Sequence, residues 1–367
     1  MSPAYTLYGA RISYYTGKVR AYLDWKGLPY AEVPATAQVY RDVVLPRVGA
    51  AVIPVVVTPE GQTLQDSTDI IEALEQRHGG PAITPASGVR RLVAALLELY
   101  GDEWLLIAAM HYRWHHNRDW AQAAFGALSA PDAPAHKQRE IGAQLAAPFA
   151  QAAAALGAGS PAMQAAIEAS YEALLDELDA HFALHACVLG TRPSVADFGL
   201  YGPLYAHQYL DPASGALMRR RAPQVVRWVQ ALETQRAPLS GEFLAGDAIP
   251  PTLEPVLRRQ MREQLPVLVD TAGRLGAWLA EHPGETAPRS LGRHTFTLDG
   301  VAGERIVRPY SLWMLQRARD VYRSLSDAER SRADALLTRV GGEAFQAFPD
   351  PPRLVRKGLS VAAEALA

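Results

Sequence analysis

Three stretches of the N-terminal region carry side chains suited to binding and polarising a small anionic molecule. In the first, YGARISYYTGKVR (8–20), a short strand leads through a loop into a helix that begins near Ser13. The first turn of a helix has unpaired N–H groups, so a hydroxyl beside it can help to hydrogen-bond an anion. Ser13 can equally be a simple N-cap, and the residues alone leave both roles open.

The second stretch, VIPVVVTPEGQTLQ (52–65), predicts two strands around the turn Pro59-Glu60-Gly61. Pro54 stands at the entry to the first strand, and proline cannot donate to a sheet. A cis peptide bond there would leave the N–H and C=O of Ile53 free to pair with an extended peptide. An ordinary trans proline is the alternative, because only about 5–6% of X–Pro bonds are cis.

The third stretch, QDSTDI (65–70), runs from a strand into a helix. The N-terminus of that helix can bind a carboxylate, and Asp66 beside it can bind an ammonium group. Together, the helix N-terminus and Asp66 would bind the carboxylate and the ammonium group of an α-amino-acid ligand. In the alternative interpretation, Ser67 only caps the helix and Asp66 interacts favourably with the helix dipole.

The elements that must position these side chains form three successive groups. Residues 4–85 alternate strands and helices, with strands at 5–8 and 31–35 and helices at 17–30 and 67–80. Amphipathic helices follow at 89–107, 162–186, 194–210 and 222–233. The Ala-, Gly- and Pro-rich stretch 126–161 predicts loops and a looser helix. After a linker at 241–255, the pattern predicts a helix at 255–281, a hairpin at 294–311, helices at 311–342 and an irregular strap at 349–359.

This order predicts an α/β domain at 1–85, an all-helical domain at 86–245, and an extension of α-helices and a β-hairpin at 246–367. We expect the extension to pack on the core, and its role is not indicated by any motif.

Composition narrows the class of protein. The chain has 367 residues, 36 basic and 38 acidic side chains, and one cysteine. The near-neutral charge argues against a nucleic-acid-binding face. One cysteine excludes a disulfide framework, a cysteine-based zinc site and a CxxC redox pair. No apolar run approaches the ~18 residues that span a membrane, and the N-terminus has no secretory pattern. We therefore expect a soluble, cytoplasmic protein that binds neither nucleic acid nor membrane.

Taken in order, these features resemble the glutathione transferase superfamily. LYG…S…KVRAYLDWKGLPY is similar to its first strand and helix, and VIPVVVTPEGQTLQDSTDIIEAL is similar to its cis-proline strand, hairpin and third helix. LGTRPSVADFGLYG (189–202) resembles a helix of the family's helical domain, with Ser194 and Asp197 as a structural capping box. The resemblance covers roughly residues 4–235. It implies a thioredoxin-like first domain that binds glutathione as cosubstrate.

By position, the resemblance implies that Asp66 and Ser67 hold the γ-glutamyl end of glutathione. The backbone of Ile53, before a cis Pro54, would pair with the cysteinyl part. Ser13 would face the sulfur as the catalytic hydroxyl. A free thiol has a pKa of about 8.5, and a hydrogen bond to its charged form contributes about 1.5–3 kcal/mol. Such a bond lowers the thiol pKa by roughly one to two units.

The choice of hydroxyl stays open, because the loop alignment also brings Tyr14, Tyr15 and Tyr8 into consideration. Asp66 stands where the family usually has Gln or Glu, so its charge is kept but its reach is shorter. The sole cysteine, Cys187, lies in the helical region. The cysteine-type members of the family, which form mixed disulfides with glutathione, are therefore a poor match.

The end of a long helix, MHYRWHH (110–116), is expected to border the cleft between the domains. Met110, His111, Trp114 and Tyr14 are therefore predicted to line a pocket for a hydrophobic electrophile. His111 and His115 have the i, i+4 spacing of metal ligands. No HExxH pattern and no third ligand is evident, so the sequence predicts no metal site.

The resemblance supports two functions. The first is a glutathione-dependent transferase, a detoxification-type enzyme and possible homodimer, that activates the glutathione thiolate for attack on a hydrophobic electrophile. Lyase and isomerase variants use the same thiolate. The second is a non-catalytic protein with the glutathione-binding fold, whose extension is the working surface. In the extension, Tyr310, Trp313 and Met314 would cover the core or block the dimer face. No sequence feature indicates which electrophile the protein would use.

Overall fold

A four-stranded sheet with helices around it forms the N-terminal domain in this computed structural model, which describes residues 4–234, 241–349 and 351–364. Its strands are β1 (Tyr5–Gly9), β2 (Tyr30–Pro34), β3 (Val55–Val57) and β4 (Thr63–Gln65). Its helices are α1 (Tyr14–Lys26), α2 (Ala37–Val39), α3 (Leu45–Val48) and α4 (Ser67–Arg77), with a π-helical segment at Tyr40–Val44. The strand order is β2-β1-β3-β4. The predicted thioredoxin-like α/β domain is confirmed.

Strand pairing brings the three sequence stretches to the same end of this sheet. β1 is parallel to β2 and antiparallel to β3, with Tyr8 opposite Val55. β3 is antiparallel to β4, with Val55 opposite Gln65. The loop after β1, the segment before β3 and the start of α4 therefore meet at the same end of the sheet. Helix α1 ends on Gly27, whose φ of 67° suits a left-handed C-cap.

The second domain is helical. Its helices are α5 (Gly88–Leu99), α6 (Leu106–His111), α7 (Arg118–Ser129), α8 (Ala135–Ala153), α9 (Pro161–Phe182), α10 (Val195–Pro203), α11 (Pro212–Arg221) and α12 (Pro223–Thr234). π-Helical segments lie at Tyr100–Trp104, Tyr112–His116, Ala154–Ala158 and Leu204–Tyr209. Residues 126–161 contain more helix than the predicted loops and looser helix, because α8 spans about half of the stretch and helical segments flank it. Alanine has the highest helix propensity, and here it outweighs the scattered glycines and Pro148.

The extension adds helices and two hairpins. Its helices are a 3₁₀ turn (Pro251–Leu253), α13 (Glu254–Glu263), α14 (Leu265–Glu281), α15 (Tyr310–Arg323), α16 (Asp327–Arg339) and α17 (Glu343–Gln346). Its strands are β5 (Arg293–Leu298), β6 (Val301–Ile306), β7 (Leu354–Lys357) and β8 (Ser360–Ala363). The predicted hairpin is β5–β6. The tail is not an irregular strap, since Leu354–Lys357 pairs with Ser360–Ala363 around Gly358, which has a φ of 61°.

One continuous hydrophobic core joins all three parts of the chain. It includes Leu7 of the sheet, Leu92 of α5 and Leu315 of α15. Helix α15 packs along α5. At the start of α5, the backbone N–H of Gly88 donates to Oε1 of Glu329 on α16, at 2.8 Å. The extension is therefore part of the folded body that contains the sheet.

One stretch, Ala135–Ala158, has the length and mean hydropathy of a membrane span. The sequence analysis predicts no membrane span. About one third of its most apolar window is buried inside the protein, and core helices of soluble proteins have the same composition. It is weak evidence for a membrane segment.

Candidate active site

Ser13 lies at the start of α1 with its hydroxyl facing the first helical turn. Its Oγ accepts a hydrogen bond from the backbone N–H of Thr16, at 3.3 Å, and the residue is half-buried. Its backbone φ and ψ, −86° and 129°, are those of an N-cap. A hydroxyl has one donor and two acceptor positions. Within the described residues no group accepts a hydrogen bond from Ser13, so the cap leaves its O–H available.

The alternative tyrosines are placed differently. Tyr14 is buried and its hydroxyl donates to the carbonyl of Gly101. The hydroxyl of Tyr15 donates to the carbonyl of Asp102, at 3.0 Å. Burial raises the pKa of both phenols well above the ordinary value. Their protons are used to attach α1 to the helical domain. Tyr8 is half-buried in β1.

The Ile53–Pro54 peptide bond is cis. Pro54 is buried and Ile53 is half-buried immediately before β3. Across the described chain, no backbone hydrogen bond from Ile53 to another backbone group is present. Its N–H and C=O are therefore available to an extended ligand at the edge where Ser13 lies.

Asp66 already has partners on both carboxylate oxygens. Its Oδ1 accepts from the backbone N–H of Thr68, at 2.9 Å, and of Asp69, at 3.3 Å, so Asp66 is the N-cap of α4. Its Oδ2 accepts from the hydroxyl of Tyr310 in the extension, at 2.6 Å. Asp66 has a φ of 80°, an uncommon value outside glycine. Ser67 follows as the first residue of α4 and is buried.

Two arginines of the extension hold the same corner of the sheet. Arg356 of β7 donates to Oε1 of Gln65 at 2.6 Å, to the carbonyl of Gln65 at 2.8 Å, and to Oδ2 of Asp69 at 2.9 Å. Arg317 of α15 donates to Oδ1 of Asp69 at 2.8 Å and to Glu72 at 3.0 Å. The extension therefore contacts the region around Asp66 and Ser67, which the sequence analysis assigned to the γ-glutamyl end of glutathione.

Beneath this corner lies a buried charged cluster that the sequence analysis missed. Nζ of Lys18 lies 2.6 Å from Oε1 of Glu98, 2.6 Å from Oδ2 of Asp102 and 3.0 Å from Oγ1 of Thr68. Burial alone would lower the pKa of Lys18, but the two carboxylates outweigh it and the pKa lies above its ordinary value. Burial raises the pKa of Asp102, against the opposing charge of Lys18. The sequence does contain a signal for this cluster, because Lys18 stands among the apolar positions of α1.

The predicted electrophile pocket is not assembled as one open surface. Met110 and Trp114 are buried in a second hydrophobic cluster with Phe125 packed against it. His111 is buried and its Nε2 lies 2.7 Å from Oε1 of Glu168 on α9. Tyr14 is held by Gly101, as described above. Helix packing closes the position of Trp114, because this residue of the π-helical segment Tyr112–His116 contacts Phe125 of α7 and Phe149 of α8.

The capping box at the start of α10 is present. The backbone N–H and the hydroxyl of Ser194 both donate to Oδ2 of Asp197, at 2.8 and 3.0 Å. Oδ1 of Asp197 accepts from the backbone N–H of Val188, at 2.9 Å, and from Nε1 of Trp228, at 3.2 Å. Asp197 therefore stabilises the fold of the helical domain at a point well beyond the capped helix itself.

The comparisons with known proteins agree with this architecture. Residues 7–82 match the glutathione S-transferase N-terminal domain, and residues 147–236 match the glutathione S-transferase C-terminal domain. The chain belongs to the glutathione transferase superfamily. Family membership suggests glutathione-dependent transferase activity. No curated protein matches the sequence.

Several solved structures are similar to this chain. The beta-etherase LigF from Sphingobium sp. strain SYK-6 is 17% identical, with a TM-score of 0.47 over 64% of this chain and 97% of that one. A glutathione S-transferase from Rhodospirillum rubrum F11 is 21% identical, with a TM-score of 0.39 over 67% and 96%. The Tau class glutathione S-transferase from mango, Mangifera indica, is 15% identical, with a TM-score of 0.40 over 66% and 94%.

Proposed function

We propose that this protein is a glutathione-dependent transferase that activates the glutathione thiolate for attack on a hydrophobic electrophile. The observation that carries the proposal is the convergence of three groups at one edge of the sheet. These are the free O–H of Ser13, the unpaired backbone of Ile53 and the N-terminus of α4 at Ser67. In this arrangement Ile53 pairs with the cysteinyl part, and Ser67 receives the γ-glutamyl carboxylate.

The protein has a limited part in the proposed reaction. Glutathione supplies the nucleophile, and the protein ionises and orients it. Ser13 accepts a hydrogen bond from the N–H of Thr16 and donates one, through its own O–H, to the sulfur. This hydrogen bond stabilises the thiolate, and the thiol proton leaves to solvent. The positive end of the α1 dipole acts in the same direction.

The test is the ultraviolet absorbance of the thiolate of bound glutathione, followed against pH. In the wild type we expect the thiol pKa to lie one to two units below that of free glutathione, and Ser13→Ala to restore it. Ser160→Ala is the matched control, since Ser160 caps α9 by accepting from Met163 N at 3.3 Å, remote in sequence from the site. Bound glutathione with an unshifted pKa in both proteins would remove the catalytic role of Ser13.

A second function has an observation of its own in its favour. Both oxygens of Asp66 are occupied, one by the α4 amides and the other by Tyr310. Tyr310 therefore competes with the α-amino group of glutathione for Oδ2 of Asp66, and the second function applies where this contact prevents glutathione from binding. The protein would then be a non-catalytic member in which the extension is the working surface.

Tyr310→Phe separates the two functions, because it removes the hydroxyl and keeps the ring. Calorimetric titration of the wild type with millimolar glutathione should show binding if the transferase proposal holds. Absence of binding in the wild type, with binding restored in Tyr310→Phe, would support the second function. Tyr322→Phe is the control, since its hydroxyl donates to Asp334 within the extension.

A further inference from the structure

Two imidazoles and a carboxylate meet where the end of α6 faces α9. Nε2 of His111 and Nε2 of His116 each lie 2.7 Å from Oε1 of Glu168. The three atoms all lie within 4.8 Å of one another. His111 is buried, Glu168 is half-buried and His116 is exposed. The cluster therefore has a packed inner side and an open side toward solvent.

The local backbone explains why His116, and not His115, joins His111. In a regular α-helix, residues five apart point about 140° away from each other. Tyr112–His116 is a π-helical segment, and its i→i+5 hydrogen bonding brings residues five apart toward the same face. His115 is exposed and stacks on His111, with 5.1 Å between ring centroids. The i, i+4 pair His111 and His115 is therefore not the pair of histidines that shares Glu168.

We propose that His111, His116 and Glu168 form a binding site for a divalent transition-metal ion, with Zn²⁺ as the reference ion. Zn²⁺ binds imidazole nitrogen and carboxylate oxygen at about 2.0–2.2 Å, and two His plus one Glu is a ligand set that leaves a fourth position for water. The exposed side at His116 provides that position. The expectation of no metal site rested on the lack of a third ligand, and α9 supplies one.

The fit requires the three ligand atoms, which lie within 4.8 Å of one another, to reach nearly equal separations. Tetrahedral coordination at these bond lengths places ligand atoms about 3.3 Å apart, so each nitrogen–oxygen separation would widen by about 0.6 Å. His116 is exposed and can move by that amount. On binding, each neutral imidazole carries its proton on Nδ1 and presents the Nε2 lone pair to the metal. The ion replaces two N–H···O hydrogen bonds and links the π-helical segment to α9.

A trio of hydrogen-bonded side chains without a metal would show the same contacts, so the test must measure metal uptake directly. Full-length protein without a histidine tag is treated with chelator and titrated with Co²⁺, whose visible absorption reports ordered coordination. Zn²⁺ affinity is then measured by competition with a chromophoric chelator. The variants are His116→Ala and Glu168→Gln, which change an exposed and a half-buried residue. His136→Ala, on the exposed face of α8, is the control.

We expect one equivalent of Co²⁺ or Zn²⁺ in the wild type and in the control. Both site variants should bind Zn²⁺ at least about tenfold more weakly, since losing even a supporting partner of a metal ligand costs about 10–100-fold. No uptake by the wild type overturns the proposal. Equal affinity in the wild type and both site variants overturns it as well. This inference does not depend on glutathione binding.

Discussion

At the residue scale, Lys18 is a fully buried charge of the N-terminal domain. Its ammonium group is buried and bonds two carboxylates on the helical domain and a hydroxyl on α4. Removing one partner of a buried ion pair leaves an uncompensated charge, which costs about 3–5 kcal/mol. Lys18 therefore contributes to the junction between the two domains, below the candidate glutathione site.

We predict that Lys18→Met lowers the free energy of unfolding by about 3–5 kcal/mol. The measurement is urea denaturation followed by circular dichroism. Lys137→Met is the control, because its ion pair with Glu140 is exposed and should change stability by less than about 1 kcal/mol. Equal effects of the two substitutions would show that the buried cluster is not important for stability.

Asp197 gives a second prediction at this scale, for pH. Burial raises its pKa to about 6, against the hydrogen bonds from Ser194, Val188 and Trp228. The folded protein therefore holds this proton more tightly than the unfolded chain does. The stabilisation from this group is complete below about pH 4 and is lost as the pH rises through 6, by at most about 3 kcal/mol.

Denaturation curves of wild type and Asp197→Asn at pH 4, 5, 6 and 7 measure this contribution. The asparagine variant is less stable throughout, because it places an amide donor where donors already converge. Its free energy of unfolding should nevertheless fall less steeply between pH 4 and 6 than that of the wild type. Parallel pH profiles would assign the titration to other carboxyl groups.

At the element scale, the two glycines Gly101 and Gly199 decide how closely two helical segments approach. A Cβ on Gly101 would lie 2.3 Å from the carbonyl oxygen of Gly199, and a Cβ on Gly199 would lie 2.7 Å from Cα of Glu98. Tyr100–Trp104 and α10 are therefore in backbone contact. The same segment carries the carbonyls that bind Tyr14 and Tyr15, so it also fixes the start of α1.

We predict that Gly101→Ala destabilises the protein by about 1–3 kcal/mol, as overpacking does. Gly273→Ala, within α14, is the matched control, since a Cβ there meets nothing within 4 Å. It should stabilise the protein by about 0.5–1 kcal/mol, because alanine is the better helix former. Thermal unfolding of both variants distinguishes the packing effect from helix propensity. A stabilising Gly101→Ala would contradict the close approach.

At the scale of the whole molecule, the extension both completes the core and meets the candidate active site. Helix α15 packs on α5, and Arg317 and Arg356 bond the side chain of Asp69 on α4. Tyr310 reaches Asp66 from the same side. Access to the position proposed for the γ-glutamyl end therefore depends on a part of the chain that lies more than 230 residues away in sequence.

We predict that the full chain unfolds in one cooperative thermal transition, because one core joins the sheet, the helical domain and the extension. A chain ending at residue 245 should unfold at a midpoint about 10 °C lower or more, since it exposes the apolar face of α5 and loses several kcal/mol. Differential scanning calorimetry measures both. Two separate transitions in the full chain would show that the extension folds independently.

Much of the fold was predictable because its signals are local. Apolar spacing, caps and turn residues indicated the strands of the sheet, the helices around Leu92 and Ile167, and the β5–β6 hairpin. The Ala-rich α8 was underestimated, because glycine and proline were given more weight than the propensity of alanine. The β7–β8 hairpin was missed because its strands are four residues each, too short for a period to emerge.

The sequence by itself determined the family, the thioredoxin-like order of elements, and the positions of Ser13, Ile53, Asp66 and Ser67. These depend on neighbouring residues, whose types and spacing set local backbone conformation. Only the tertiary structure determined which residues, distant in sequence, contact each other. It brought Tyr310 to Asp66, Glu168 to His111, and two carboxylates to Lys18. The physical reason is that such contacts join elements that are distant in sequence. Residue spacing indicates which face of a helix is buried, but not which distant element covers that face.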